Sequence, residues 1–558
     1  MRNDRIISSM AETVITGLQK RSVTSCSRYA MKYRIMGQPF PGPWSFQHHP
    51  WSEQMHDIDG DMYGQKAAQM AFTETALNRT FYMIDVRKVS CLYVLPNKTP
   101  DASDFSSARF DAALELSKYL RNLFSDTKNV GHKRAASVSL YIRGSRSRAG
   151  LKSVPAGHIV FDEEDEMTQE NLPLAIERAS GQMEASVWHI STPTIEDVGI
   201  NKGFKSSTRN HYHFKCPVCS KYTEFVFPDS FVLIGDSLAD PRLKESYKQT
   251  TCKHKITLPQ DQTWQLFSDP GRIGNKALWV PQNYNGNGHG FHVNQLYSST
   301  KLTSPAKIAE AMIKARSDPF AETELFNSKM GLPHLVEGAR VTDTQLSSCV
   351  GIHNNGARAP STLYKTMGID VGTFFHYEVD AWEPTARNAR SPDVNNLHHC
   401  RVTKIGKSKD LADVYNTIQE QNVNFIVIDG NPERRLSMEF VRNLQGQGRY
   451  CFYGNAVRGR DVNQSTDAEF VTVDRTSWLD LSIGRYKNKS ITLPMDTPEE
   501  YKEHVKNMAR VYHKDKHGNP AASYVNGEKA DHYAHARNYS ELALAVGAST
   551  QMQPTDIT

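Results

Sequence analysis

The chain is 558 residues long, 39% hydrophobic and 23% charged, with a formal net charge of +5. That length exceeds one hydrophobic core and predicts several domains; the composition is that of an ordinary globular protein, and the small positive balance permits a polyanionic partner without arguing for one. No run of about 18 apolar residues occurs, the N-terminus lacks a secretory signal, and eight cysteines are too few for a disulfide scaffold, so no membrane span and a reducing cytoplasmic setting are expected.

Residues 1–40 read as a polar, helical N-terminal arm. The stretch "QKAAQMAFTET" (65–75) precedes a helical start and stands where a phosphate loop would lie, but it does not match the G-x-x-x-x-G-K-[ST] pattern. Ala71 and Phe72 occupy the usual Gly-Lys positions. Thr73 could supply the metal-coordinating hydroxyl, and Lys66 has a stem long enough to reach β- and γ-phosphates from the front of the loop. The plain alternative for Lys66 is a helix-start lysine. The segment 81–96 is apolar and strand-like near Pro96, residues 105–125 have helical spacing, and "SVSLYIRG" (137–144) alternates like a strand.

"HIVFDEE" (158–164) then leads an apolar strand into Asp162 and Glu163, the first of five consecutive carboxylates, Asp162 to Glu166. A nucleotide motor uses such a strand end to hold Mg²⁺ with the Asp and to polarise the attacking water with the Glu. A solvated acidic turn is the alternative, and Glu164 to Glu166 are read as continuing into the connecting loop. Arg143, Arg146 and Arg148 precede the strand; each is a candidate arginine finger or a contact to DNA phosphates. "ASVWHISTPT" (185–194) is the next strand. Strands alternating with helical stretches predict a mainly parallel α/β sheet.

From 205 to 260 the texture changes, and Cys216-x-x-Cys219 is followed by Cys252-x-His254. This donor set suits a zinc-ribbon-like insertion holding structural Zn²⁺, with the tightly spaced His254 the weakest ligand; a redox pair or free thiols are the alternatives. Residues 336–362 are polar and rich in Gly, Asn and Ser, and read as a linker. A second α/β region, 363–546, follows. It places Asp370 and Asp429 at strand ends and Asp531 at a helix start, where they could converge on two divalent ions for phosphodiester cleavage, as in an RNase H-like nuclease. Glu378 and Asp380 are spare carboxylates nearby, and His532 could orient a ligand. Residues 547–558 read as a disordered tail.

Taken in order, these motifs resemble the large terminase subunit of tailed phages, in the lambda-type branch. "PGPWSFQHHPWSEQMHD" (41–57) resembles that family's adenine-recognition segment, which includes Gln47. "KAAQMAFTE" (66–74) resembles its deviant phosphate loop, with the lysine at the front. "IRGSRSRAGLKSVPAGHIVFDEEDEM" (142–167) resembles its basic turn and acidic signature. "HISTPT" (189–194) resembles its coupling motif, which gives Ser191, Thr192 and Thr194 the part of sensing the γ-phosphate. "GFHVNQLYS" (290–298) and "ELFNSKMGLPH" (324–334) also match the family's texture. The resemblance implies an ASCE-type packaging ATPase over 41–335 and an RNase H-like nuclease over 363–546. It implies ATP and Mg²⁺, with Mg²⁺ or Mn²⁺ in the nuclease site. It further implies double-stranded DNA, a small terminase subunit, a portal protein or procapsid and a ring of like subunits as partners, in the host cytoplasm. A stand-alone two-metal or transposase-like nuclease with a degenerate ATPase domain is the alternative, as is a non-enzymatic protein bridging DNA and capsid.

Overall fold

The computed structural model describes residues 25–551 apart from 125–128, 153, 269–275, 386–393, 455–456, 465–468, 515–518 and 528. The part of the expected N-terminal arm before residue 25 and the part of the expected tail after 551 lie outside the described residues. Within the arm, Cys26–Tyr33 is an α-helix. The chain divides into two compact units, Met1–Leu335 and Val336–Thr558.

The first unit is built on a ten-stranded sheet. Its parallel centre comprises β1 (Met62–Lys66), β2 (Cys91–Leu95), β3 (Val138–Gly144), β4 (His158–Asp162), β5 (Ser186–Ser191) and β6 (His289–Val293). They run in the spatial order β6-β1-β5-β4-β2-β3. Every residue of β2, β4 and β5 is buried, as expected of strands covered on both faces. One strand, β5, separates β1 from β4. The loop after β1 and the acid at the end of β4 therefore flank a common crevice at the carboxyl ends of the strands. Beyond β6 the sheet continues into Asn210–Lys215, which carries the cysteine-containing insertion.

The second unit has an eight-stranded sheet. Its core strands are β7 (Tyr364–Val371), β8 (Phe375–Pro384), β9 (His398–Ser408), β10 (Phe425–Asp429) and β11 (Gly448–Tyr453), in the order β9-β8-β7-β10-β11. The first three pair antiparallel, and β10 and β11 join in parallel. A long C-terminal helix, His532–Gln551, lies on this sheet. Gly368 permits the contact, since a Cβ there would stand 2.0 Å from the Ala536 carbonyl oxygen and 2.2 Å from the Ser540 nitrogen.

Two expectations change. Residues 336–362 are not free linker: Asp343–Ser348 is a helix closed by a capping box between Thr342 and Gln345, and Val341, Leu346 and Cys349 are buried in the core of the second unit. Their polar neighbours masked these three anchors. The tail expected from 547 also begins as helix, which runs to Gln551.

Candidate functional site

In the first unit, a cleft of about 770 Å³ is lined by Gln47, Lys66, residues 68–74, Arg109, Glu163 and Thr192. The loop after β1 enters the helix Phe72–Tyr82 through two left-handed residues, Gln69 (φ 63°) and Ala71 (φ 66°). Left-handed turns of this kind gather backbone N–H groups into a concavity suited to anions. Gly331 backs the loop at positive φ, where a Cβ would lie 2.6 Å from the Ala67 nitrogen. Trp51 holds the loop from the other side, donating its indole N–H to the Met70 carbonyl at 3.0 Å. Phe40 and His48 stack at 4.0 Å and form an aromatic wall to the cleft beside Gln47.

Lys66 is 5% exposed and donates to Glu163 Oε1 at 2.7 Å. Burial works against the ammonium charge, but Glu163 and Asp162 outweigh it and raise the lysine above its ordinary value. Thr73 Oγ1 donates to Asp162 Oδ1 at 3.2 Å, and the Tyr93 hydroxyl donates to Asp162 Oδ2 at 2.7 Å. Burial, with the adjacent Glu163 charge, raises the Asp162 carboxyl. Glu163 itself sits in the left-handed region at φ 64°, a backbone form that non-glycine residues adopt at a cost. The hydroxyl and carboxylate oxygens of Thr73 and Asp162 are hard donors suited to Mg²⁺.

Of the rest of the acidic run, Glu166 is exposed, but Glu164 and Asp165 are tied into the fold. Glu164 is buried and pairs with His189 Nδ1 at 2.6 Å. Asp165 accepts from the N–H and hydroxyl of Thr194, both at 2.9 Å, and from the Ile200 N–H at 2.8 Å. It thereby ties the turn after β4 to the segment after β5 and to the helix Gly199–Ser206. Burial pushes its carboxyl up to about 7 against those hydrogen bonds. Ser191 Oγ accepts the Asp165 N–H at 3.1 Å, and Thr192 reaches the cleft. The three hydroxyl residues thus bracket the acidic turn.

Of the arginines, Arg143 lies with its guanidinium against the Gly131 and Ile142 carbonyls, and Arg146 and Arg148 are exposed. None of the three lines the cleft. The arginine that does is Arg109, which pairs with Glu74 Oε1 at 2.9 Å. Sequence reading passed over it because it sits within an ordinary helical stretch.

In the insertion, the donor atoms of Cys216, Cys219, Cys252 and His254 all lie within 4.8 Å of one another. Cys219 and Cys252 sulfurs are 3.5 Å apart, and His254 Nδ1 is 3.4 Å from Cys216 Sγ and 3.3 Å from Cys252 Sγ. Four ligands around a tetrahedral Zn²⁺ with Zn–S bonds of about 2.3 Å stand about 3.8 Å apart. The group is thus nearly the size of a zinc shell, and His254 is part of it.

In the second unit, Asp370, next to last in β7, and Asp429, last in β10, lie on neighbouring parallel strands whose preceding residues, Ile369 and Ile428, are in register. Burial, followed by the nearby Asp370 charge, pushes the Asp429 carboxyl up to about 6 despite the Asn431 N–H it accepts. The C-terminal helix begins beside them: His532 Nδ1 is 2.8 Å from Asp370 Oδ2. Asp531 accepts from Asn526 Nδ2 at 3.0 Å and faces His535 Nε2 at 3.3 Å. His535 leads the charges that hold Asp531 low, against its burial. The expectation that Glu378 and Asp380 are spare metal ligands is overturned. Both are fully buried and paired with Arg537, Glu378 at 2.9 Å, while Tyr501 donates to Glu378 at 2.6 Å. Alternation along β8 directs these two acids to the face covered by the C-terminal helix. The residue missed is His376, the cross-strand partner of Asp370. The short turn between β7 and β8 already implied that pairing.

Residues 38–279 match the family model described as phage terminase large subunit gpA, ATPase domain. No curated protein matches the chain. Similar solved structures include the HK97 bacteriophage large terminase, 11% identical, covering 94% of this chain and 99% of that one with a TM-score of 0.48. The large terminase nuclease of the thermophilic phage G20c with bound magnesium is 10% identical and covers 37% of this chain and 98% of that one, with a TM-score of 0.23. The Thermus phage P74-26 large terminase ATPase domain is 11% identical and covers 51% and 93%, with a TM-score of 0.29.

Proposed function

We propose how the sites divide the work in this chain, which carries the ATPase domain of the phage terminase large subunit over residues 38–279. The first unit hydrolyses ATP to drive double-stranded DNA into a preformed capsid, and the second cuts concatemeric DNA. The observation that carries the motor reading is the convergence of Lys66, Thr73, Asp162 and Glu163 on one cleft, from two strands separated by a single strand. Gln47 and the Phe40–His48 wall receive the adenine. The loop amides and Lys66 hold the phosphates, and Glu163 takes the proton of the attacking water. Asp165 passes the change at the γ-phosphate through Thr194 to the helix Gly199–Ser206, with Ser191 and Thr192 beside it. Arg146 and Arg148, being exposed, serve a neighbouring subunit's site or DNA phosphates; Arg109 serves this subunit's own cleft.

Asp370, Asp429 and Asp531 form the nuclease centre; the neighbouring strands that carry Asp370 and Asp429 support it, as does His532, the residue after Asp531, which bonds to Asp370. Mg²⁺ held at Thr73–Asp162, and Mg²⁺ or Mn²⁺ held at the nuclease centre, would supply charge neutralisation at the phosphate being cleaved. Cys216, Cys219, Cys252 and His254 hold structural Zn²⁺. The partners are DNA, contacted mostly through phosphates, a small terminase subunit that recognises the genome, a portal on the procapsid, and like subunits in a ring, all in the host cytoplasm.

The test is ATP turnover with and without double-stranded DNA, alongside plasmid nicking with divalent metal. Glu163→Gln is expected to lose at least about a hundredfold in turnover while still binding ATP, which is the scale of a lost general base. Asp370→Asn and Asp429→Asn are expected to abolish nicking and leave turnover intact. Full turnover by Glu163→Gln would overturn the motor assignment, and nicking by both aspartate variants would overturn the nuclease assignment.

A further inference from the structure

At the nuclease end of the second unit, one buried side chain lacks a partner. His376 is 3% exposed, and neither of its ring nitrogens has a hydrogen-bond partner. Glu500 Oε1 stands 3.9 Å from its Nε2, beyond hydrogen-bond reach. A buried imidazole with two idle nitrogens costs free energy that ordinary packing does not return. Its surroundings indicate what would satisfy it. His376 faces Asp370 across the β7–β8 pair and stacks on His532 at 4.6 Å with the rings 9° apart. One donor atom from each of Asp370, His376 and His532 lies within 4.8 Å of the others.

We propose that His376 is a nitrogen ligand to a divalent ion held with Asp370, so that this centre selects a first-row divalent ion, Mn²⁺ among them, over Mg²⁺. The proposal rests on the nuclease reading for its purpose but not for its geometry. Mg²⁺ is best served by oxygen alone, whereas the first-row divalent ions take an imidazole nitrogen with an affinity that is least for Mn²⁺ and rises along the row. The stacked rings also assign unequal parts. A ring nitrogen's lone pair lies in the ring plane, so two parallel rings cannot address one ion together. His376 is fixed by its burial, whereas His532, whose side chain is 40% exposed and already bonded to Asp370, can turn. His532 therefore orients the Asp370 carboxylate, and joins the ion only if its ring rotates.

The experiment uses the full chain with its cysteine cluster filled with zinc and no nucleotide present. Mn²⁺ is bound and read by electron spin echo modulation, which detects a directly coordinated nitrogen. The wild type is expected to show that nitrogen coupling, and His376→Gln is expected to lose it and to bind Mn²⁺ about tenfold or more weakly, with Mg²⁺ affinity nearly unchanged. His532→Gln is expected to keep the coupling. A wild-type spectrum with no nitrogen coupling overturns the proposal without recourse to any variant. So does a coupling that persists in His376→Gln. Plasmid nicking in the same samples separates the two readings. Nicking that needs Asp370, without nitrogen coupling, leaves the nuclease and removes the His376 ligand. Coupling without nicking keeps the ligand and removes the nuclease.

Discussion

At the scale of single residues, the chemistry follows from where burial and charge meet. Asp429 shows this. Its carboxyl is pushed up to about 6, mainly by burial and then by Asp370. Between about 4, the ordinary carboxylate value, and about 6, the folded unit holds a proton that the unfolded chain has released. Stability of the metal-free protein contributed by this group is therefore complete at low pH and declines as pH rises through that window. Asp429→Asn is expected to flatten that slope; urea midpoints at several pH values for both chains would show it. Because a ligand must be ionised, divalent-ion binding at this centre should weaken as pH falls. Ala71 carries a different tension, since at φ 66° a side chain is sterically disfavoured. Ala71→Gly should raise stability by about 1 kcal/mol, measured by denaturant unfolding. The acid pair, the cysteines and the two strand-end aspartates were legible as residues in the sequence. His376 and Arg109 were not, because each gains its meaning from a neighbour distant in the chain.

At the scale of elements, the C-terminal helix is fixed to the sheet by buried charge. Arg537 joins Glu378, Asp380 and Glu541, and Arg485 reaches Glu541 at 2.6 Å. Removing one partner of such a cluster strands the others without solvent, at a cost of about 3–5 kcal/mol. Arg537→Ala is thus expected to lower the unfolding midpoint of the second unit sharply, and to release the helix start that carries Asp531 and His532. Loss of nicking at temperatures where the variant remains folded would reveal that second effect. The insertion is held differently. It has two-stranded pieces and little sheet of its own, so chelation of zinc should expose it to protease while ATP binding persists. The strands were readable because their apolar runs are continuous. The helix in 336–362 was not, since its three buried anchors are scattered among polar residues.

At the scale of the whole molecule, each unit has its own apolar core. Calorimetry of the full chain should accordingly show two transitions, one raised by ATP and the other by Mn²⁺. Each shift grows with ligand concentration, about 2.7 kcal/mol at a hundred times the dissociation constant. A single transition moved equally by both ligands would contradict this independence. The order of motifs along the sequence anticipated both sheets, because each motif sits at a strand end and the strand order brings those ends together. The ion pair between Lys66 and Glu163 bears on how the two activities live side by side. On the proposed reading, this pair engages the carboxylate that an attacking water would need. A γ-phosphate would offer the ammonium a stronger anion, and its arrival would free the carboxylate. The engine would then be interlocked with its own fuel line, its igniter grounded until a charge is fully seated.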